Sequence, residues 1–244
     1  MKSNLRKKRV VELYDDYAYV YDTLRYGTKK QKITLKIAIE VVSELVGEVK
    51  NKIVLDAGCG SGRFTNFFIN EGANVVSVDT SKNMLKILKE KNPNVKAINA
   101  DIFNLPFKNK TFDLIICSEV LTHLHEYKRP LEEFKRILSS DGIIIIDIRN
   151  ILYPMHFIRK YILRKTAIDK DPRYNPDIIH IFKIMNICKE INLKIDDFRG
   201  IGLSFIRFIN KKNKKRISIE KSRSNNRLLK YIAPTLIIKI RIKQ

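Results

Sequence analysis

The chain has 244 residues, 44% hydrophobic and 30% charged, which excludes wholesale disorder and suits one well-packed domain. Its net charge is +22, concentrated in the last 94 residues, which hold 23 Lys/Arg against 7 Asp/Glu. The longest aliphatic run, Ile143 to Ile146, is far short of the roughly 20 residues that span a bilayer, and the basic N-terminus leads into no apolar stretch of signal-peptide type.

Residues 1–50 read as a helical cover, with Ile33, Ile37, Val41 and Leu45 at helical spacing and Gly47 as the stop. Over 51–150 short apolar runs alternate with helical stretches, as βαβ units require. Strands are predicted at 52–57, 74–79, 95–99, 112–117 and 142–148, and helices at 62–70, 81–91 and 128–138. The runs are nearly continuous in apolar residues, as in parallel strands buried on both faces. Residues 151–192 are helical but broken by Pro154, Pro172 and Pro176, and read as a cap after the fifth strand. Residues 193–244 complete the single domain 1–244. Leu193 to Phe198 and Leu203 to Ile209 look extended, 211–230 is a loop with nine Lys/Arg, and Leu236 to Ile242 is a final strand.

The chemistry gathers at the ends of the early strands. The first runs through Val54-Leu55-Asp56 into Gly58-Cys59-Gly60-Ser61-Gly62, a loop whose glycines allow a tight turn and close approach of backbone N–H groups to a ligand. Arg63 occupies the position of the third glycine of a dinucleotide fingerprint, which disfavours a nicotinamide enzyme. Asp79 closes the second strand, placed to accept both hydroxyls of a ribose. Asp101 follows the third strand and suits an exocyclic adenine amine, with Ile102 beside the ring. Ser118 and Glu119 follow the fourth.

With these blocks in order, the sequence resembles the class I S-adenosylmethionine-dependent methyltransferases, in the broad family containing the ubiquinone and menaquinone biosynthesis enzymes. The matching blocks are Asp56 to Gly62, Val78-Asp79-Thr80-Ser81 with Met84-Leu85, Ala100 to Phe107, Phe112-Asp113, and Leu131 to Gly142. The resemblance covers residues 50–150 well and the rest poorly. It implies a Rossmann-like three-layer α/β sandwich with a mostly parallel seven-stranded sheet and the last strand antiparallel. It also implies S-adenosyl-L-methionine as cofactor, contacted by Asp56, Ala57, Gly58, Gly60, Asp79, Thr80, Met84, Asp101, Ile102, Ser118 and Glu119. Gly58 and Gly60 would pass the amino-acid end, Asp79 would hold the ribose and Asp101 the adenine, while Ser118 to Val120 would face the methyl group.

For in-line methyl transfer the protein aligns the acceptor and excludes water, and needs a base only if the acceptor must lose a proton. His123 is the candidate base, with a packing role as the alternative; His125 and Glu126 read as solvated loop residues. No metal is expected, because Thr122 stands where metal-dependent relatives have an acid. Cys117 reads as a buried strand cysteine, and the odd, scattered Cys59, Cys117 and Cys188 fit a reducing cytoplasm rather than a disulfide or zinc framework. Tyr14, Tyr21 and Arg25 of the N-terminal cover are candidate substrate contacts; Tyr14 and Tyr21, seven apart, share a helix face.

Two acceptor classes follow. One is a small or lipid-like molecule, reached at an anionic membrane surface through the apolar and basic segment Tyr153 to Lys165, which makes the protein cytoplasmic and peripheral. The other is tRNA or another RNA, bound by the 211–230 loop and the basic N-terminal arm. A non-catalytic binding protein that kept the fold is the third reading, opposed by the intact Asp56, Asp79 and Asp101. The charge itself is either functional or a matter of lysine-rich composition.

Overall fold

The computed structural model describes residues 2–153, 167–202, 224–226 and 229–243. Most of the segment Tyr153 to Lys165, all of Leu203 to Ile209 and most of the 211–230 loop lie outside the described residues.

Two helices come first, α1 (Lys2–Tyr26) and α2 (Lys29–Val46). Thr28 starts α2 with a reciprocal cap: its hydroxyl accepts from the Gln31 backbone N–H, and its own backbone N–H donates to Gln31 Oε1. Gly47 ends α2 in the positive-φ region at 70°, as the spacing predicts. The alternation then runs β1 (Ile53–Ala57), α3 (Arg63–Asn70), β2 (Asn74–Asp79), α4 (Lys82–Lys91), β3 (Lys96–Asn99) and β4 (Phe112–Cys117). It continues through α5 (Leu121–Leu124), α6 (Lys128–Ile137), β5 (Leu138–Arg149), α7 (Ala167–Lys170), α8 (Ile181–Glu190), β6 (Leu193–Ile201) and β7 (Thr235–Ile242).

The seven strands form one sheet in the order β3-β2-β1-β4-β5-β7-β6, parallel except for β7, which is antiparallel to both neighbours. Because side chains alternate across a strand, each central strand feeds two cores. Leu114, Ile116, Ile143 and Ile145 pack with Ile37 and Val41 of α2 and Phe64 and Phe68 of α3. Ile115, Cys117, Ile144 and Ile146 pack on the other face with Leu131 and Phe134 of α6 and Ile181 and Ile184 of α8. Each such buried aliphatic chain contributes about 1.5–3 kcal/mol of transfer free energy. This is the three-layer sandwich that the resemblance implies.

Two elements differ from the sequence reading. Strand β5 starts at Leu138 rather than 142, because Leu138 pairs with Phe112 ahead of a register shift that absorbs the polar turn residues between them. The described part of 151–192 divides: α7 packs against α1, whereas α8 lies on the sheet beside β6 with Cys188 in the core. Helical spacing is the same for a cap as for a sheet-flanking crossover, so periodicity cannot separate them. Among the described residues no helix is long and apolar enough to cross a membrane.

Candidate active site

A cavity opens at the C-terminal ends of β1, β2 and β4, where parallel α/β sheets bind ligands. Its floor is the loop after β1. Gly58, Gly60 and Gly62 have φ of 78°, 52° and 90°, and the Gly58 and Cys59 N–H groups both donate to the Val78 carbonyl, tying the loop to β2. A Cβ on Gly58 would lie 2.2 Å from Val120 Cγ2, whereas one on Gly60 would meet nothing within 4 Å. The space beside Gly60 is therefore open.

Around this loop the acids are held differently. Asp79 accepts from the Gly60 and Ser81 N–H groups, one on each oxygen at 2.8 Å, and burial raises its pKa. Each oxygen retains a second lone-pair direction toward the cavity it lines. Asp56 accepts from Thr65 Oγ1 at 2.7 Å, which in turn lies 2.9 Å from Ser77 Oγ, and burial pushes its carboxyl up to about 6. Asp101 takes the Lys7 ammonium at 3.2 Å and the Phe103 N–H at 3.1 Å. Met84 and Ile102 are buried and Thr80 is exposed, all three lining the cavity.

Helix α1 lies across the rim and bonds in turn to the loops that follow β3, β2, β1 and β4. Besides Lys7 with Asp101, Asp15 accepts from Ser81 Oγ and the Asn83 N–H, and Asp22 from Ser61 Oγ and Lys91. Arg25 pairs with Glu119 at 3.0 Å, and Arg6 Nε donates to the His123 carbonyl at 2.8 Å. Two cations of the basic N-terminal arm, Arg6 and Lys7, are thus engaged within the molecule.

The far wall is crowded with charge. Glu119 has φ 60° and donates its N–H to Asp147 Oδ1 at 2.8 Å, while Ser118 Oγ donates to Asp147 Oδ2 and accepts from Arg63 Nη2 at 2.6 Å. Burial pushes the Asp147 carboxyl up to about 6, with the Glu119 charge adding to it. Burial works to raise Glu119 too, but Arg25, Arg63 and Arg149 overcome it and hold that carboxyl well below the usual range. His123 is buried, its Nε2 3.0 Å from the Tyr14 hydroxyl, and burial together with Arg149, Arg25 and Arg6 drives its imidazole down to about 3. A neutral ring so placed accepts protons poorly. Tyr14 and Tyr21 meet edge-on at 5.8 Å, and burial raises both phenols well above their ordinary value.

Of the cofactor and substrate candidates, Asp56, Gly58, Gly60, Asp79, Thr80, Met84, Asp101, Ile102, Ser118, Glu119, Tyr14 and Tyr21 all line this one cavity, with His123. Ala57 does not: it is fully buried in the sheet. Arg25 reaches the cavity through Glu119. His125 is half-exposed but faces Asp177 at 2.5 Å rather than water alone, and Cys117 is a buried strand thiol. Sequence reasoning missed Arg63, Asp147, Arg149 and Tyr174. Asp147 and Arg149 carried a usable signal, charges at the C-terminal end of an aliphatic strand; Tyr174 carried none.

A doubly wound sheet with a glycine loop after β1 and a carboxylate closing β2 defines a nucleoside-binding α/β protein. Residues 55–146 match the model of a methyltransferase domain. An uncharacterized protein of Methanocaldococcus jannaschii is 30% identical over 208 residues, covering 83% of this chain and 80% of that one. A demethylmenaquinone methyltransferase of Renibacterium salmoninarum is 30% identical over 145 residues, 58% of this chain and 59% of that one. The structure of magnesium protoporphyrin IX methyltransferase from Synechocystis, solved with S-adenosylmethionine bound, superposes with a TM-score of 0.65 at 16% identity, over 98% and 97% of the two chains. The chain belongs to the class I S-adenosylmethionine-dependent methyltransferases. It is an enzyme of that class, and S-adenosylmethionine is its cofactor.

Proposed function

We propose that the enzyme methylates a small-molecule acceptor held in the cavity beneath α1. The observation that carries this reading is the cover: Tyr14, Tyr21 and Tyr26 of α1 line the cavity together with His123, and α1 is bonded to the loops at its rim. A base in a folded RNA would have to displace that helix, whereas a small molecule would not. The demethylmenaquinone methyltransferase among the relatives is consistent with such an acceptor.

The residues fit the cofactor. Gly58 and Gly60 leave room for its amino-acid end, Asp79 has lone pairs for the ribose hydroxyls, and Asp101 with Ile102 and Met84 suits the adenine. Ser118 and Glu119 would face the transferable methyl, while Asp56 and Ala57 brace the loop from the strand below. When bound, the cofactor supplies a methyl group made electrophilic by its sulfonium. The chain's own work is to orient the acceptor and keep water out, tasks for which Tyr14, Tyr21 and Arg25 are placed.

Calorimetry with S-adenosylmethionine should show binding that weakens at least about tenfold in Asp79→Ala, since two charge-assisted hydrogen bonds are lost. Absence of binding at millimolar cofactor would overturn the cofactor site. Incubation with labelled cofactor and either total tRNA or a small-molecule extract tests the acceptor, and label transferred only to tRNA would overturn the small-molecule reading.

A further inference from the structure

Arg63 is the one cationic side chain among the described residues that line the cavity, since the His123 ring there is neutral. Four carboxylates line it as well: Asp56, Asp79, Asp101 and Glu119. S-adenosylmethionine has the reverse balance at neutral pH, with a cationic sulfonium and ammonium and a single anionic carboxylate. Where water is scarce, each such group needs an opposite charge or a set of hydrogen-bond partners. The cofactor's one anion and the cavity's one cation therefore match.

Arg63 is also held as a binding group would be. It opens α3 directly after Gly62, so the partial positive charge of that helix end adds to its own. Its Nη1 donates to the Tyr26 hydroxyl at 3.0 Å and its Nη2 to Ser118 Oγ at 2.6 Å. The guanidinium lies 4.8 Å from the centre of the Phe64 ring and 5.8 Å from that of Tyr26. These contacts orient the fork without neutralising it, because both hydrogen-bond partners are hydroxyls. The acids whose charge reaches it are bonded to other donors: Glu119 to Arg25 at 3.0 Å, and Asp147 to Ser118 Oγ and the Glu119 N–H.

A planar fork can give two parallel N–H donors to one carboxylate, and a guanidinium has five N–H groups in all. The Tyr26 oxygen accepts from Arg63 and still has its own proton to give. The cofactor's two ends are not interchangeable here. Asp79 and Asp101 would repel a carboxylate placed at the adenosine end, whereas the open space beside Gly60, three residues before Arg63, admits the amino-acid arm.

We propose that Arg63 binds the carboxylate of S-adenosylmethionine, with Tyr26 and Ser118 as positioning residues that hold its guanidinium for that contact. Tyr26 is the last residue of α1, so the same arginine ties the cofactor to the cover. The proposal rests on the cofactor site described above and adds to it the residue that selects the amino-acid end.

The test titrates the full chain calorimetrically with S-adenosylhomocysteine and with its decarboxylated counterpart, the same thioether bearing an aminopropyl arm. The two ligands share the adenosine, the sulfur and the amine, and differ only in the carboxylate. The wild type should bind S-adenosylhomocysteine about tenfold or more tighter. Arg63→Met should abolish that ratio, Arg63→Lys should retain part of it, and Tyr26→Phe should lower it by a smaller factor. A merely structural role for either residue would weaken both ligands alike and leave the ratio unchanged. Equal affinities in the wild type overturn the proposal without requiring any variant to fold. An unchanged ratio in Arg63→Met overturns it too, and in Tyr26→Phe overturns the positioning role. If the wild type binds both ligands equally, only the part given to Arg63 falls; if it binds neither, the cofactor site falls and the proposal with it.

Discussion

Two glycines two residues apart do different work. At Gly58, φ is 78° and an added methyl would lie 2.2 Å from Val120, so Gly58→Ala combines left-handed strain with a steric clash. At Gly60, φ is 52° and the methyl would meet nothing within 4 Å, leaving only the strain of about 1–2 kcal/mol. Urea denaturation should therefore rank Gly58→Ala as the more destabilised. Gly60→Ala should instead lose cofactor affinity, about tenfold or more by calorimetry, because its methyl enters the open space; unchanged affinity would place the cofactor elsewhere. His123 gives a second prediction at this scale. Its folded pKa of about 3 lies below the ordinary 6.5, so the unfolded chain takes up a proton first as pH falls, and stability present above pH 6.5 is lost toward pH 3. His123→Gln removes that linkage. The stability difference between wild type and variant should shift against the wild type by about 1.4 kcal/mol per pH unit between 6.5 and 4, and parallel curves would show that the imidazole is not held neutral. The glycine loop and Asp79 were legible in the sequence because each is a local pattern attached to a strand end. Arg63 was visible only as a missing glycine, and nothing local distinguishes Tyr174 from any other loop tyrosine.

Among the elements, α1 shows best how a cover is made without a broad apolar stripe. Leu13 and Ala18 are buried, but its attachment is largely polar, through Lys7, Asp15, Asp22 and Arg25 to four different strand ends and loops. Partly exposed bonds of this kind are each worth about 1 kcal/mol, so the helix should open more easily than the sheet. Hydrogen exchange should show α1 amides exchanging faster than those of β4, and slowing when S-adenosylhomocysteine is added. Asp15→Ala combined with Asp22→Ala should accelerate α1 alone; equal acceleration in β4 would mean that the cover and the sheet unfold together. Its helical character and its role as a cover were expected from residues 1–50, but the contacts that fasten it were not, since polar contacts to sequence-distant loops leave no periodic trace. The same limit applies to α8, whose apolar spacing fits a cap and a sheet-flanking helix equally.

For the whole molecule, the last strand in the sequence lies inside the sheet. β7 pairs with β5 over Ile144 to Arg149 and with β6 over Leu193 to Ile201, and Leu236, Ile238 and Ile240 are fully buried. Ile238→Ala should cost about 2–5 kcal/mol in guanidinium unfolding, and deletion of 235–244 should abolish cooperative folding. A milder effect, below about 1 kcal/mol, would show that β7 is an edge rather than an interior strand. The sequence by itself determined the βαβ alternation, the two-faced burial of the central strands, the cofactor loop and the acids that follow β2 and β3. Each of these is written in spacing over a few residues, and period two or three-and-a-half needs no knowledge of neighbours. Only the tertiary structure decided that Arg25, Arg63, Arg149 and Tyr174 converge on Glu119 and His123. These residues come from α1, α3, β5 and the segment before α8, and meet because the sheet brings distant strand ends to one rim. Charge in the sequence is a sum, whereas charge at a site depends on which groups the fold brings together.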